Sequence, residues 1–410
     1  MKPFDRYFER NPVVHSVYFP NSPKAILIIP VLDDWDIFAT IDHLRHCTCS
    51  EGNVGVIVIV NHGEMADSKV KESNRLLYKE LWERYGVGQT GTESVYVEVM
   101  KAFDLSAKFA GVGMARKLAM DAAAFFFYQQ GAIEAPILSL DADTWMDENY
   151  LEEVIRYFQK NQVAGVSIAY EHRLEEEDEK LIDAIIKYEL YLRYYQLALA
   201  YTGHPHAFHC IGSAFAVRVV DYVAQGGMNK RQAGEDFYFL QKLIATGRYA
   251  ALNSTRVYPS ARFSSRTPFG TGQTVRQIVA EGGDYWVFDF AAFRALYCFF
   301  KELPKLYQAD LEKCEKYIAC QAVELQAFLT EINGIGLIQD ANANCASLHQ
   351  FIRRFFVHFN AFRVLKYLNF VHETHYQKVK IQKAVSDLFQ ELHFPIGKNN
   401  RENLEFLRRL

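Results

Sequence analysis

Two pairs of carboxylates have a spacing that could do chemistry. Asp141 and Asp143, one residue apart, follow the apolar run Pro136 to Leu140, and Glu235 and Asp236 follow Gly234 ahead of the run Phe237 to Ile244. On an extended backbone, side chains two residues apart point the same way. If the strand continues through them, Asp141 and Asp143 therefore offer oxygen ligands to one hard divalent cation, Mn²⁺ or Mg²⁺. Such ions are held by one or two carboxylates together with phosphates, and they neutralise a departing diphosphate. A carboxylate at Glu235 or Asp236 can take the proton of an acceptor hydroxyl as general base, although acidic residues there also serve as an ordinary helix start. A third run, Gly113 to Lys117, opens a helix, where Arg116, Lys117 and unpaired N–H groups suit a phosphate or a nucleobase.

These residues need a frame that brings them to one place. Ala25 to Ile29, Val54 to Val60, Val95 to Val99 and Ile137 to Leu140 are short apolar runs that read as buried strands. Helical patterns lie between them at about Asp36 to Arg45, Ser68 to Tyr85 and Gly113 to Gln129. Strand and helix in alternation predict an α/β fold, a mostly parallel sheet flanked by helices. In such sheets ligands bind beyond the carboxyl ends of the strands. The first strand delivers Asp33 and Asp34 to that edge, the second Asn61, His62, Gly63 and Glu64, and the fourth Asp141 and Asp143. From about Asp284 the β pattern fades, which predicts an α/β domain over residues 1–283 and an α-helical region over 284–410. The acidic run Glu175 to Glu179 opens a helical pattern reaching about Tyr201 and reads as a helix N-terminus that welcomes negative charge.

Composition narrows the class. A formal net charge of -4 over 410 residues gives no basic face for nucleic acid. The longest apolar stretches are too short to cross a bilayer, and Met1 to Tyr18 lacks the apolar core of a signal peptide. Seven cysteines without framework spacing read as reduced thiols, and the expected location is the cytoplasm. Phe351, Phe355, Phe359 and Phe362, on a basic helical pattern from Gln350 to Val371, could dock on the inner face of a membrane or on a partner. Packing back onto the protein is the commoner fate of such a stripe.

The ordered set of segments resembles the glycosyltransferase family 2 type of GT-A enzyme. The matching pieces are Ile29 to Asp34, Val60 to Gly63, Gly113 to Lys117, Leu140 to Asp143, Ile211 to Phe215 with Gly226-Gly227, and Gly234 to Asp236, over about Lys24 to Val275. The resemblance implies a GT-A, Rossmann-like domain that transfers a hexose from a nucleotide-diphosphate sugar, UDP- or GDP-linked, to an acceptor hydroxyl on a glycan, a lipid-linked sugar or a small molecule. It implies that Asp33, Asp34 and Asn61 contact the nucleoside and that Arg116 and Lys117 lie near the base or diphosphate. Asp141 would hold the ribose or metal, Asp143 the metal, and Gly212 and Ser213 would line the sugar and acceptor side. Asp236 would be the base of an inverting displacement, with Glu235 beside it.

The chain also departs from the pattern. The usual Asp-Asp-Gly-Ser is here Asn61-His62-Gly63-Glu64, which leaves the nucleobase open. Gln273 to Gln277 lacks the Trp of the processive Gln-x-x-Arg-Trp motif. No His follows the Glu-Asp element as a further metal ligand; Arg256, Arg262 and Arg266 stand in that region instead and could hold the diphosphate or an anionic acceptor. His204, His206 and His209 read as pocket lining or core, with His209 the candidate nearest the acceptor side. Two other readings compete. A haloacid-dehalogenase-type phosphatase shares the Asp-x-Asp, but its motif does not allow Trp145 at the position two beyond Asp143. A non-catalytic sugar- or nucleotide-binding scaffold of the same fold is disfavoured by the joint presence of Asp141, Asp143, Glu235 and Asp236.

Overall fold

The computed structural model describes residues 2–19, 21–50, 52–86, 94–174, 178–230, 234–262 and 270–410. The chain packs as two compact units, Met1–Glu177 with Cys210–Thr274, and Asp178–His209 with Val275–Leu410. The helical unit thus takes in residues 178–209, which the linear division at residue 283 places with the α/β part.

The first unit is built on one sheet. Its strands are β1 (Ala25–Val31), β2 (Val54–Gly63), β3 (Val95–Leu105), β4 (Pro136–Ser139), β5 (Trp145–Met146), β6 (Gly165–Tyr170), β7 (Phe215–Arg218) and β8 (Tyr249–Tyr258), in the order β3-β2-β1-β4-β7-β6-β8-β5. β3, β2, β1 and β4 run parallel, β7 lies antiparallel between β4 and β6, β8 is parallel to β6, and β5 closes the edge antiparallel to β8. β1 is buried along its whole length, because a central parallel strand has both faces covered and reads as an unbroken apolar run. β3, at the edge, is only partly buried and carries Glu98 and Lys101, charges that discourage further strand pairing.

The helices of this unit are α1 (Lys2–Arg10), α2 (Ile37–His46), α3 (Ser68–Tyr85), α4 (Val112–Gln129), α5 (Tyr150–Lys160), α7 (Val219–Ala224) and α8 (Glu235–Ile244). α3 starts where Asp67 accepts from the Lys69 amide and runs to Tyr85, as its periodicity predicts. This is the mostly parallel, helix-flanked α/β arrangement that the alternation of strand and helix predicts.

The second unit is helical. It contains α6 (Glu179–Tyr201), α10 (Phe290–Glu302), α11 (Leu311–Ala319), α12 (Val323–Glu331), α13 (Gly334–Ala343), α14 (Leu348–His358), α15 (Ala361–Thr374), α16 (Ile381–Glu391) and α17 (Asn400–Arg408), while α9 (Thr271–Ala280) starts in the first unit and ends in the second. Asp178 caps α6 by accepting from the amides of Lys180 and Leu181. Residues 175–177 of the acidic run lie outside the described residues. α6 belongs here because it packs against α10, α16 and α17. Its Glu189 is fully buried and is held by Arg193 and by both arms of Arg408 on α17.

The expected aromatic stripe is split by a helix break at Phe359–Asn360. Phe351, Phe355 and Phe359 are buried in the core of this unit, with Phe355 stacked on Phe359 at 5.7 Å between ring centroids. Each buried ring contributes about 1.5–3 kcal/mol. Those three rings are accordingly core and not a membrane-facing surface. Among the described residues no helix is long and apolar enough to cross a membrane.

Candidate active site

The carboxyl end of β1 turns sharply. Asp33 adopts φ +48°, a left-handed conformation that Asp tolerates better than most residues. Its amide donates to Asn74 Oδ1 at 2.8 Å, and its carboxylate accepts from Ser73 Oγ at 2.6 Å. Asn74, fully buried on α3, also donates to the Asn61 carbonyl at 3.0 Å, and the Asn61 side chain donates to the Val31 carbonyl at 2.8 Å. One asparagine thus ties the ends of β1 and β2 together. Asp33 is committed to α3, and Asn61 is a 3 % exposed brace. Asp34 projects instead toward Arg262.

The strand does not continue through Asp141 and Asp143. β4 ends at Ser139, and Asp141 to Thr144 form a turn closed by the Thr144 amide on the Asp141 carbonyl at 3.3 Å. The expectation of parallel side chains from strand alternation therefore does not hold. Asp141 pairs with Arg116 at 2.8 Å, and Asp143 pairs with Arg262 at 2.9 Å. The turn is pinned from outside as well. Thr40 Oγ1 donates to the Ala142 carbonyl at 2.7 Å, and Arg173 donates to the Asp143 carbonyl at 3.2 Å while lying 3.8 Å over the Trp145 ring. A turn fixed by this many contacts presents its carboxylates with little freedom, as an electrostatic site requires.

Arg116 joins the two carboxylate pairs. Its guanidinium, 3 % exposed, donates to Asp141 on one side and to Glu235 on the other. Burial opposes its charge, but Glu235, Asp141 and Asp236 together hold its pKa above the ordinary arginine value. The guanidinium lies flat against Gly212, where a Cβ would sit 2.8–3.0 Å from three of its atoms. Ser139 Oγ donates to the Gly212 carbonyl at 2.7 Å and fixes the backbone there. Gly212→Ala is expected to push the guanidinium off its carboxylates at a cost of about 1–3 kcal/mol, the usual range for overpacking. A lowered midpoint in urea unfolding, with unchanged m value, would show it.

Glu235 and Asp236 occupy the first turn of α8, which Gly234 opens at φ +70°, a conformation costly for any residue with a Cβ. Burial pushes the Glu235 carboxyl up to about 7 against the pull of Arg116, and Asp236 adds to the rise. Burial likewise raises Asp236 above the ordinary aspartate range, against the pull of Arg116 and the Phe237 amide. Two neighbouring acids with raised pKa values form a coupled pair suited to holding and releasing a proton near neutrality. Their roles differ. Glu235 is spent on Arg116, whereas Asp236 is in no ion pair among the described residues.

Arg262, after β8, gathers three carboxylates. It pairs with Asp34, with Asp36 at 2.6 Å and with Asp143 at 2.9 Å. Burial works against its charge, and Asp143, Asp34 and Asp36 outweigh it, so its pKa lies above the ordinary value.

Residues 136–280, the stretch that supplies Asp141, Asp143, Gly212, Glu235, Asp236 and Arg262, match the family model of glycosyl transferase family group 2. The chain thus carries a glycosyl transferase family group 2 segment. Among curated proteins no sequence match to it is found. Among solved structures it is similar to S. aureus TarS 1-349 in complex with UDP-GlcNAc, at 10 % identity and a TM-score of 0.41, covering 82 % of this chain and 91 % of that one. It is also similar to the same fragment in complex with UDP, at 11 % identity and a TM-score of 0.39, covering 82 % and 92 %. Both likenesses are weak, and the family match covers residues 136–280 alone.

The fold does not bring all the expected site residues together. Lys117 sits beside Arg116 in sequence but faces away, paired with Asp121 at 2.9 Å and donating to Tyr7 at 3.2 Å. It belongs to a buried network that fastens α1 to α4. Ser213 is buried at the turn before β7. His209 lies in the helical unit, where burial lowers its pKa to about 4 and leaves the imidazole neutral. His204 and His206 are core there too, held neutral by burial at about 3 and about 4. Arg266 lies outside the described residues.

Three contributors escaped sequence reasoning. Asp36 reads as a plain helix start, Asn74 sits mid-helix without a motif, and Arg173 follows β6, which the pattern of short runs did not reveal. Only Asp36 left a trace, in the spacing Asp34-Trp35-Asp36.

Among the described residues no group of three or more His, Cys, Asp or Glu side chains is arranged as a metal site. The donor chemistry nonetheless suits a hard dication. Asp34, Asp36 and Asp143 set three formal negative charges around a single guanidinium, and Asp141 keeps a 43 % exposed side chain. Carboxylate oxygens in this number and state are what Mg²⁺ and Mn²⁺ take together with phosphates.

Proposed function

We propose that the protein transfers a sugar from a nucleotide-diphosphate sugar to an acceptor hydroxyl, with a divalent cation and with inversion at the anomeric carbon. The observation that carries this reading is the convergence of Asp34, Asp36, Asp141 and Asp143 at the carboxyl edge of the parallel strands, next to a raised-pKa carboxylate at the head of α8. That edge is where such sheets bind nucleotides.

Asp143 and Asp141 would hold the cation, which when bound would neutralise charge developing on the departing diphosphate. Arg116 keeps Asp141 in position and keeps Glu235 from competing for the cation. Asp236 takes the proton of the acceptor hydroxyl as that oxygen attacks. Asp34, at the mouth of the β1 turn, is placed for the nucleoside, while Asn61 and Asn74 act by holding the strand ends that carry it. The location proposed is the cytoplasm.

The test is donor binding. A nucleoside diphosphate with Mn²⁺ or Mg²⁺ should raise the melting temperature of the intact chain, with about 2.7 kcal/mol of added stability at a hundredfold excess over Kd. Asp143→Ala should remove the shift. Screening uridine and guanosine diphosphates separately reads out the base. No shift with any nucleoside diphosphate, with either metal, rules out the donor class.

A further inference from the structure

We infer that Arg262 is an internal cation of the donor site, which must hand Asp143 over to the incoming metal before the donor can be held. The inference rests on the donor-binding reading above.

Three observations lead to it. First, Arg262 engages carboxylates from two separate segments, Asp34 and Asp36 beyond β1 and Asp143 in the turn beyond β4. These segments bracket the place a metal-bound diphosphate would occupy. Second, Asp143 cannot give its full charge to a metal while the guanidinium lies 2.9 Å from its oxygen. Third, the guanidinium is not a sealed structural clamp like that of Arg116. Its side chain is 28 % exposed against 3 %.

A planar fork with five donors is matched to phosphate oxygens as well as to carboxylates. When metal and diphosphate arrive together, the metal takes the charge of Asp143 and the diphosphate offers Arg262 new acceptors. Each partner relieves the other's cost, so metal and nucleotide bind cooperatively, and the linkage acts equally in both directions. The ion pairs keep the three carboxylates compensated until that moment. Asp36, on the rim with a 55 % exposed side chain, remains as the hinge contact to which Arg262 can stay attached.

The experiment is calorimetric titration of the full chain with Mn²⁺ alone, with uridine or guanosine diphosphate alone, and with each diphosphate at saturating Mn²⁺, for the unaltered protein, Arg262→Met and Arg262→Lys. In the unaltered protein Mn²⁺ alone should bind weakly and tighten when diphosphate is present. Arg262→Met should bind Mn²⁺ alone about tenfold more tightly, the equivalent of the two or three partly exposed ion pairs released. At saturating Mn²⁺ the same variant should bind diphosphate about tenfold more weakly, as expected when a charge-assisted contact is lost. Arg262→Lys keeps the charge but not the fork, and should fall between the two in metal affinity; it also serves if the Met variant fails to fold. Mn²⁺ affinity within about twofold of the unaltered protein in both variants, alongside an intact metal–diphosphate complex, would overturn the exchange and leave the donor reading standing. Failure of any diphosphate to bind the unaltered protein with Mn²⁺ would instead overturn the donor reading itself.

Discussion

Asp236→Asn should lower turnover by about 10²–10⁴-fold, the contribution of a positioned general base, while leaving the metal-dependent thermal shift with nucleoside diphosphate intact. The carboxamide keeps the shape at the head of α8 and keeps an oxygen to accept from the Phe237 amide, so loss of rate without loss of donor binding isolates the proton transfer. In the unaltered enzyme the rate should depend on pH in a set direction. Burial raises Asp236 above the ordinary aspartate range and Glu235 to about 7. The base works only when ionised, so kcat/KM should fall as pH drops below neutral and level off above it. The two acids share Arg116, and the inflection belongs to the pair rather than to either residue. Full activity in Asp236→Asn, with loss in Glu235→Gln, would move the base to Glu235.

The second large effect is structural. Arg116→Met should destabilise the protein by about 3–5 kcal/mol, the cost of stranding a buried charge when its partner is removed. Both Arg116 and Glu235 are nearly inaccessible, so solvent screens this pair little. The size should depend on pH. Glu235 has a folded pKa of about 7, above its unfolded value, so the stability it contributes is fully present below the unfolded pKa and is lost as pH rises through about 7. Without Arg116 its carboxyl rises further, because that arginine holds it down. The gap between variant and unaltered protein should therefore be small near pH 5, where Glu235 is protonated in both, and widen as pH passes 7. Chemical unfolding at pH 5.5 and pH 8 measures the difference. Because Asp141 loses the same partner, activity should drop on the order of 10²-fold as the turn shifts.

Much of this frame was readable from the residues. The apolar runs of β1, β2 and β4 and the α3 and α4 periodicities lie where sequence places them, since a buried parallel strand and a long amphipathic helix are local signals. The delivery of Asp34 and Asp141 to one edge followed from the rule about strand ends, whereas Asp236 came from the segment opening α8 and from the family resemblance. What was not readable is partnership. Arg116 and Lys117 are neighbours with the same charge, yet they sit on different faces of α4, one joined to Asp141 and Glu235 and the other to Asp121. The Asp-x-Asp pair looked like two ligands on one strand face, but β4 ends at Ser139, two residues short of Asp141. The membership of α6 in the helical unit was also hidden, because its partners α10, α16 and α17 come much later in the chain.

The pairing of Asp34 with Arg262 spans 228 residues, and this bears on how the protein is made. During synthesis the acidic rim formed by Asp34, Asp36, Asp141 and Asp143 leaves the ribosome well before the arginine that compensates three of its members. The helical stretch 178–209 is made in between. A nascent chain stopped there has Asp34, Asp36 and Asp143 without their arginine and lacks β8, the strand that precedes Arg262. Non-local contacts of this kind form late, since the loop they close must be ordered first. The ion pairs that join the segments beyond β1 and β4 through Arg262 are therefore expected to form late in the folding of the α/β unit.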